Sequence, residues 1–304
     1  MSGVLRIGTS GWNYPAGKGT WNGIFYPLPE DRQRGFDELR FYSERFNTVE
    51  VNSTFYGQPR ASVTLGWAKR TPRDFDFAVK LFQKFTHPKL AVDQSAVTQA
   101  DVDAFKGGID PLAAAGKLGP LLVQFPSSFQ RSQESVDYLT WLMNAFAGYE
   151  LAIELRHRSW SDSPNTVRLL DEHKAAWVQI DEPKFSSSVR QDLVGGNAQL
   201  YYLRFHGRNA KEWWDHAESE DRYNYFYSKE ELAPIADVVR DVRTIVKKAY
   251  LFLNNHFSAQ SVANAVTLKH MLDEPIPARM PPELIDRFPD LAGIVSTLPR
   301  ARLI

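Results

Sequence analysis

Eight short apolar runs recur along the chain, each ending in polar, charged or aromatic residues, and most are followed by a helix-like stretch. They read LRIGTS (Leu5–Ser10), TVEVNST (Thr48–Thr54), DFAVKLF (Asp76–Phe82), GPLLVQFP (Gly119–Pro126), LAIELRH (Leu151–His157), AAWVQID (Ala175–Asp181), LYYLRFH (Leu200–His206) and KAYLFLNN (Lys248–Asn255). Strand–helix alternation of this kind implies a parallel sheet. Eight units in about 250 residues is the count of a closed (β/α)8 barrel, a TIM-like α/β fold. Such a barrel carries its chemistry at the C-terminal ends of its strands. There the runs turn from Val, Ile and Leu to Glu, Lys, Arg, His and Asn.

Helical spacing fits 36–46, 62–69, 95–105, 111–117, 135–146, 164–173, 229–246 and 258–271. One unit is irregular. Between the sixth and seventh runs, EPKFSSSVRQDLVGGNAQ is too short and polar for a full crossover helix. The tail 273–304 is Pro-rich at PIPARMPP and reads as an appendage covering one end of the barrel. Residues 1–304 are thus expected to form a single barrel domain. With 304 residues, 43% of them hydrophobic, the chain can bury a core of that size.

Thirty-six basic residues balance thirty-six acidic ones, so overall charge does not drive binding to nucleic acid or a membrane. There is no Cys, hence no disulfide, thiolate metal site or Cys nucleophile. The N-terminal segment enters a strand at once, without the pattern of a signal peptide, and no run approaches a membrane span. A cytoplasmic, soluble protein is expected.

Strand residues alternate faces. If the apolar set faces the helices, the axis receives Glu50, Asn52, Lys80, Gln124, Glu154, Arg156, Gln179, Asp181, Arg204, His206, Asn254 and His256. The alternative for each charge is an internal ion-pair network, with Glu50 and Glu154 neutralising Lys80 and Arg204. A core that only needed filling would use branched aliphatics instead. The upper loops add Lys84, His87, His157, Arg158 and Arg208, a basic excess that suits phosphate or carboxylate. Aromatics crowd the same loops: Trp12, Tyr14, Trp21, Phe25, Tyr26, Phe55, Tyr56, Trp160, Trp213, Trp214, Tyr223 and Tyr225. Packing explains Phe25, Tyr26 and Phe55. Trp12, Tyr14 and Tyr56, beside predicted strand tops, are expected to touch a ligand.

Glu154, Asp181, His206 and His256 stand at strand ends where metal-dependent barrels place ligands, but no HxH or HExxH pattern supports them and the nearby cations oppose a divalent ion. No phosphate loop of the GxxxxGK[ST] or GxGxxG type is present. No metal and no cofactor is predicted.

The segments IGTSGWNYP, FYP at Phe25–Pro27, VEVNSTFYGQP, FAVKLFQKFTHP, LLVQFPSSF, AIELRHRSW, YYLRFHGR and LFLNNH occur in this order, from Ile7 to about Met271. In this the chain resembles the YecE-like family, domain of unknown function 72. The resemblance implies a TIM-barrel-like fold and supplies no reaction. It maps family motif residues onto Trp12, Tyr14, Glu50, Asn52, Tyr56, Lys80, His87, Gln124, Glu154, Arg156, His157, Asp181, Arg204, His206, Arg208, Asn254 and Asn255, among others. The leading functional expectation is a metal-independent hydrolase or transferase acting on a phosphorylated, nucleotide-like or sugar-like ligand. Lys80, Arg156 and Arg204 would bind the anion, Glu154 or Asp181 would be the base, and His206 or His157 the acid. A non-catalytic binder of nucleic acid or another polyanion is one alternative. A metal-dependent phosphodiesterase or isomerase is another.

Overall fold

The computed structural model describes residues 2–299, apart from 92, 94, 194–196, 198, 212, 214–220 and 277; Trp214 lies outside the described residues. The eight runs form nine strands: β1 (Val4–Thr9), β2 (Thr48–Val51), β3 (Asp76–Lys80), β4 (Leu118–Gln124), β5 (Leu151–Glu154), β6 (Ala176–Trp177), β7 (Gln179–Asp181), β8 (Leu200–Phe205) and β9 (Lys248–Leu253). The sixth run supplies two of them because Val178 interrupts it. All ladders are parallel, in two sheets ordered β1-β9-β8-β7 and β2-β3-β4-β5-β6. β6 and β7 carry the chain from one sheet to the other across a single residue. At the opposite seam, Ser10 bridges Glu50 and the Gly11 amide donates to the Glu50 carbonyl at 2.8 Å. This is an α/β fold of parallel strands in TIM-like order.

Two apolar layers fix which side chains point where. The inner one contains Ala78, Leu122, Ala152, Val178, Ile180, Tyr202, Tyr250 and Phe252. The outer one joins Val49, Val51, Val123, Leu203, Phe205 and Leu251 to helix residues such as Leu139, Leu232 and Val239. The helices Gln99–Ala114, Gln133–Ala145 and Lys229–Arg243 each start on a capping box, from Thr98, Ser132 and Ser228. The spans expected at 95–105 and 111–117 merge into the first of these. It tolerates Pro111 because the carbonyl left without a donor belongs to exposed Gly107, where water can take the bond.

After β7 the described residues up to 193 hold no helix. The segment lies along the residues that follow β5 instead, with an antiparallel bridge from His157 to Ser188 and the Val189 amide on the Arg156 carbonyl at 2.8 Å. The C-terminal segment buries Met280, Leu284 and Leu291 in the outer layer and stacks Phe288 on Phe226. Among the described residues, no helix is long and apolar enough to cross a membrane.

Candidate functional site

The strand ends surround a cavity of about 470 Å3, lined by Tyr14, Asn52, Tyr56, Lys80, Gln124, Arg156, Arg204, His206, Arg222, Tyr223, Asn254 and His256. The loop after β1 forms part of its wall. Trp21 anchors that loop by donating from Nε1 to the His256 carbonyl at 2.7 Å, and Tyr14 stacks on the His256 ring at 4.3 Å. Tyr223 lies against His256 from another direction, 4.9 Å away.

Arg204, only 2% exposed, is the hub beneath this cavity. Its Nε and Nη2 donate to the two oxygens of Glu50 at 2.9 and 2.7 Å. Its Nη1 donates to Glu154 Oε2 at 2.7 Å. Arg156 Nε donates to the other Glu154 oxygen at 2.6 Å. Tyr202 donates to Glu50 Oε2 at 2.7 Å, and the Asn52 amide donates to Glu50 Oε1 at 3.3 Å. Burial alone would raise the Glu154 carboxyl, but Arg204 and Arg156 outweigh it and hold it well below the usual range. A carboxylate with both oxygens occupied by guanidinium donors is a poor proton acceptor.

His206 sits between the same two cations. Arg156 Nη2 reaches its Nε2 at 3.0 Å and Arg204 Nη1 at 3.3 Å. Arginine only donates, so Nε2 must accept and the proton belongs on Nδ1. Asn254 Nδ2 stands 2.8 Å from Nδ1, so with the proton on Nδ1 the Asn254 amide has to turn over for its oxygen to accept from the ring. Burial, then Arg204 and Arg156, lower this histidine to about 3. His206 is thus neutral and already hydrogen-bonded at both nitrogens.

Lys80 stands differently. It ends β3, partly buried, with Nζ 4.0 Å from the centre of the Phe55 ring. Among the described residues its Nζ has no hydrogen-bond or ion-pair partner. Burial, then Arg204, lowers its ammonium to about 7.

A smaller cavity of about 200 Å3 adjoins the first and shares Gln124, Arg156 and Arg222 with it; His87 and Glu182 also line it. His87 meets Phe55 edge-on, and burial followed by Lys80 and Arg156 lowers it to about 4. Burial raises the Glu182 carboxyl, whose Oε2 has no hydrogen-bond partner although Arg156 Nη1 lies 3.7 Å away.

Several expected placements are corrected. Asp181 does not face the axis. In β6 and β7 the inner positions go to Ala176, Val178 and Ile180, so Asp181 shares the outer face with its register partner Phe205. There it accepts from Arg208 at 2.7 and 2.9 Å and from Tyr227 at 2.7 Å, which takes Arg208 out of the cavity as well. The same parity turns Gln179 outward, beside Leu203. Asn255 follows Asn254 and faces the other way, donating to the Tyr225 carbonyl and to Asn264, both at 2.8 Å. His157 caps the short helix Arg158–Ser161 through its ring, with Nδ1 accepting from the Ser159 amide at 3.1 Å. Trp12 packs edge-on against Trp67 at 5.4 Å, in the outer layer rather than on the cavity wall. Lys84 and Arg158 are paired with nearby aspartates. With Asp181 outside, the quartet Glu154, Asp181, His206 and His256 does not converge. Among the described residues no three of His, Asp and Glu group as a metal centre.

Three residues of the site went unread in the sequence. Tyr202 is two positions before Arg204, so the period-2 rule already assigned it inward. Glu182 is two positions after Ile180 and is found by the same rule once the sixth run is phased correctly. Arg222 comes from an irregular loop with no period to read; its guanidinium lies 5.6 Å over Trp213.

Comparison with known proteins agrees with this architecture. The family model described as "Protein of unknown function DUF72" matches residues 6–284. The UPF0759 protein YunF of Bacillus subtilis is 29% identical over 278 residues, covering 89% of this chain and 95% of that protein. The UPF0759 protein YecE of Escherichia coli is also 29% identical, but over 157 residues that cover 51% of this chain and 49% of YecE. A DUF72 protein of Thermotoga maritima superposes with a TM-score of 0.74 at 35% identity, covering 89% of this chain and 100% of that one. One from Enterococcus faecalis gives 0.76 at 25% identity, covering 90% and 96%. The chain that places these side chains at its strand ends belongs to the DUF72 family of proteins of unknown function.

Proposed function

We propose that the mouth cavity binds a small anionic ligand of phosphorylated, nucleotide-like or sugar-like kind, and that the chain is a hydrolase or transferase acting on it. One observation carries this reading. The cations face the cavity, while the carboxylates paired with them lie underneath. Lys80, Arg156, Arg204 and Arg222 line the space, whereas Glu50 and Glu154 are 0% exposed and do not. Donors are also left over: Lys80 Nζ, as described, and Arg222 Nε, which is buried with no hydrogen-bond partner among the described residues. Unused donors in a positive, partly enclosed site call for an oxyanion. A space of about 470 Å3 suits a small molecule held by its anionic group and stacked near Tyr14 or Tyr223.

Glu154 and His206 then serve as supports that hold Arg156 and Arg204 in place. Proton transfer falls to Lys80, whose amine and ammonium forms coexist near neutral pH. Calorimetric titration with inorganic phosphate and with AMP tests the reading. Lys80→Met and Arg222→Met are each expected to weaken binding about tenfold, the effect of about 1.4 kcal/mol. Unchanged affinity in the double variant overturns it. A steep salt dependence with single-stranded DNA, spanning several phosphates, would instead favour a strand-binding surface.

A further inference from the structure

We propose that Lys80 forms an imine with the carbonyl carbon of a small aldehyde or ketone bearing a phosphate or carboxylate. The inference rests on the anion-binding reading above and narrows its substrate class. A lysine kept for an ion pair would sit on Glu50 or Glu154. Both carboxylates are taken instead: Glu50 by Arg204, Tyr202 and Asn52, and Glu154 by Arg204 and Arg156. Among the described residues Lys80 Nζ is left in the cavity wall without a hydrogen-bond or ion-pair partner, over the face of the Phe55 ring.

An ammonium withdrawn from water without an ion-pair partner, and repelled by Arg204, gives up its proton readily even against the pull of Glu154 and Glu50, and here it falls to about 7. The amine is therefore nucleophilic at neutral pH. It is also carried on the end of a strand, a rigid mount for a reacting atom.

The chemistry balances without a co-reactant. The Nζ lone pair forms a C–N bond to the carbonyl carbon as the C=O π pair moves to oxygen. A proton passes from nitrogen to that oxygen, giving the carbinolamine. The C–O bond then breaks, the nitrogen lone pair closes C=N, and the oxygen leaves as water with the second Nζ proton. One water is released and nothing is oxidised or reduced. Uptake of one proton from solvent then gives the iminium, whose positive charge is offset by the anionic group of the ligand, held by Arg156 and Arg222.

The test is reductive trapping of the full chain with sodium cyanoborohydride, using dihydroxyacetone phosphate in one arm and pyruvate in the other, followed by peptide mass analysis. The expected result is a single adduct on Lys80, at least tenfold above the exposed Lys69 and Lys247. Labelling should rise through pH 7 and fall when inorganic phosphate competes. The arm that labels identifies phosphate or carboxylate as the recognised group. Equal labelling of Lys80 and the exposed lysines overturns the proposal. So does an unlabelled protein that binds phosphate, which would leave the anion-binding reading standing. Lys80 labelling with no phosphate binding would sustain the imine and overturn that reading instead. Lys80→Met should lose the adduct while still unfolding in one cooperative transition. Should that variant not fold, the pH profile and competition measured on the wild type decide the matter.

Discussion

Arg204 carries a full charge at 2% exposure, and only its two carboxylate partners make that arrangement stable. Replacing it by Met leaves Glu50 and Glu154 buried with a shared positive partner gone. Breaking a buried pair from one side costs about 3–5 kcal/mol. Arg204→Met is therefore expected to lower unfolding free energy by about that much in urea titrations. A loss below about 1 kcal/mol would show that the carboxylates are not held as ions by this residue. At this scale much of the site could be read in the sequence. Glu50, Lys80, Gln124, Glu154, Arg156, Arg204, His206 and Asn254 alternate with apolar residues that mark the helix-facing side, so their direction follows from parity. What parity did not disclose is pairing. That Glu154 is spent on two guanidiniums, and that Lys80 is left over, depends on contacts between strands far apart in sequence.

Among the elements, the seam between β1 and β2 depends on a missing side chain. A Cβ on Gly8 would stand 2.3 Å from the Thr48 carbonyl oxygen, which is backbone and cannot swing aside. Gly8→Ala must push the two strands apart near Ser10 and Glu50, the residues that bridge them. The expected loss is about 1–3 kcal/mol of stability, the usual range for overpacking, with lower melting temperature as the readout. An unchanged melting temperature would mean that the seam is loose enough to admit a methyl group. The seam also shows where element-level reading stops. The sixth run has apolar residues on both parities: Ala176, Val178 and Ile180 on one, Ala175 and Trp177 on the other. Its phase was therefore ambiguous, and choosing the polar set Gln179 and Asp181 as inward gave the wrong face. The break at Val178 and the helix-free segment paired with residues 156–158 follow from tertiary pairing that no local period encodes.

The whole molecule should register its buried site in how stability depends on pH. The eight-fold rhythm was legible because each strand and helix carries its own period; the balance of buried charge was not, because it sums contributions from every strand. His206 and His256 are buried and neutral, lowered to about 3 and 4, His206 by burial and its two arginines, His256 by burial. An unfolded histidine titrates near 6.5. Between those values the unfolded chain takes up protons that the fold refuses, so stability is fully present above about pH 6.5 and is lost as pH falls. Each group contributes a slope of up to about 1.4 kcal/mol per pH unit. Glu154, held low by its guanidinium partners, adds to the loss below the ordinary carboxylate range. Lys80 acts in a different window with the same sign. Its folded value near 7 lies below that of an unfolded lysine, so stability climbs from about pH 7 toward pH 10. Above that, buried tyrosines such as Tyr202 and Tyr227, raised by burial, reverse the trend because the unfolded chain then ionises more easily. Urea unfolding measured from pH 4.5 to 9.5 should give a curve that rises throughout, and Lys80→Met should flatten only its upper part. A slope between pH 6.5 and 5 no steeper in the wild type than in His206→Gln would mean that His206 is protonated in the fold. Its Nε2 could then no longer accept from Arg156, and the hydrogen-bond order assigned to the site would have to be reversed.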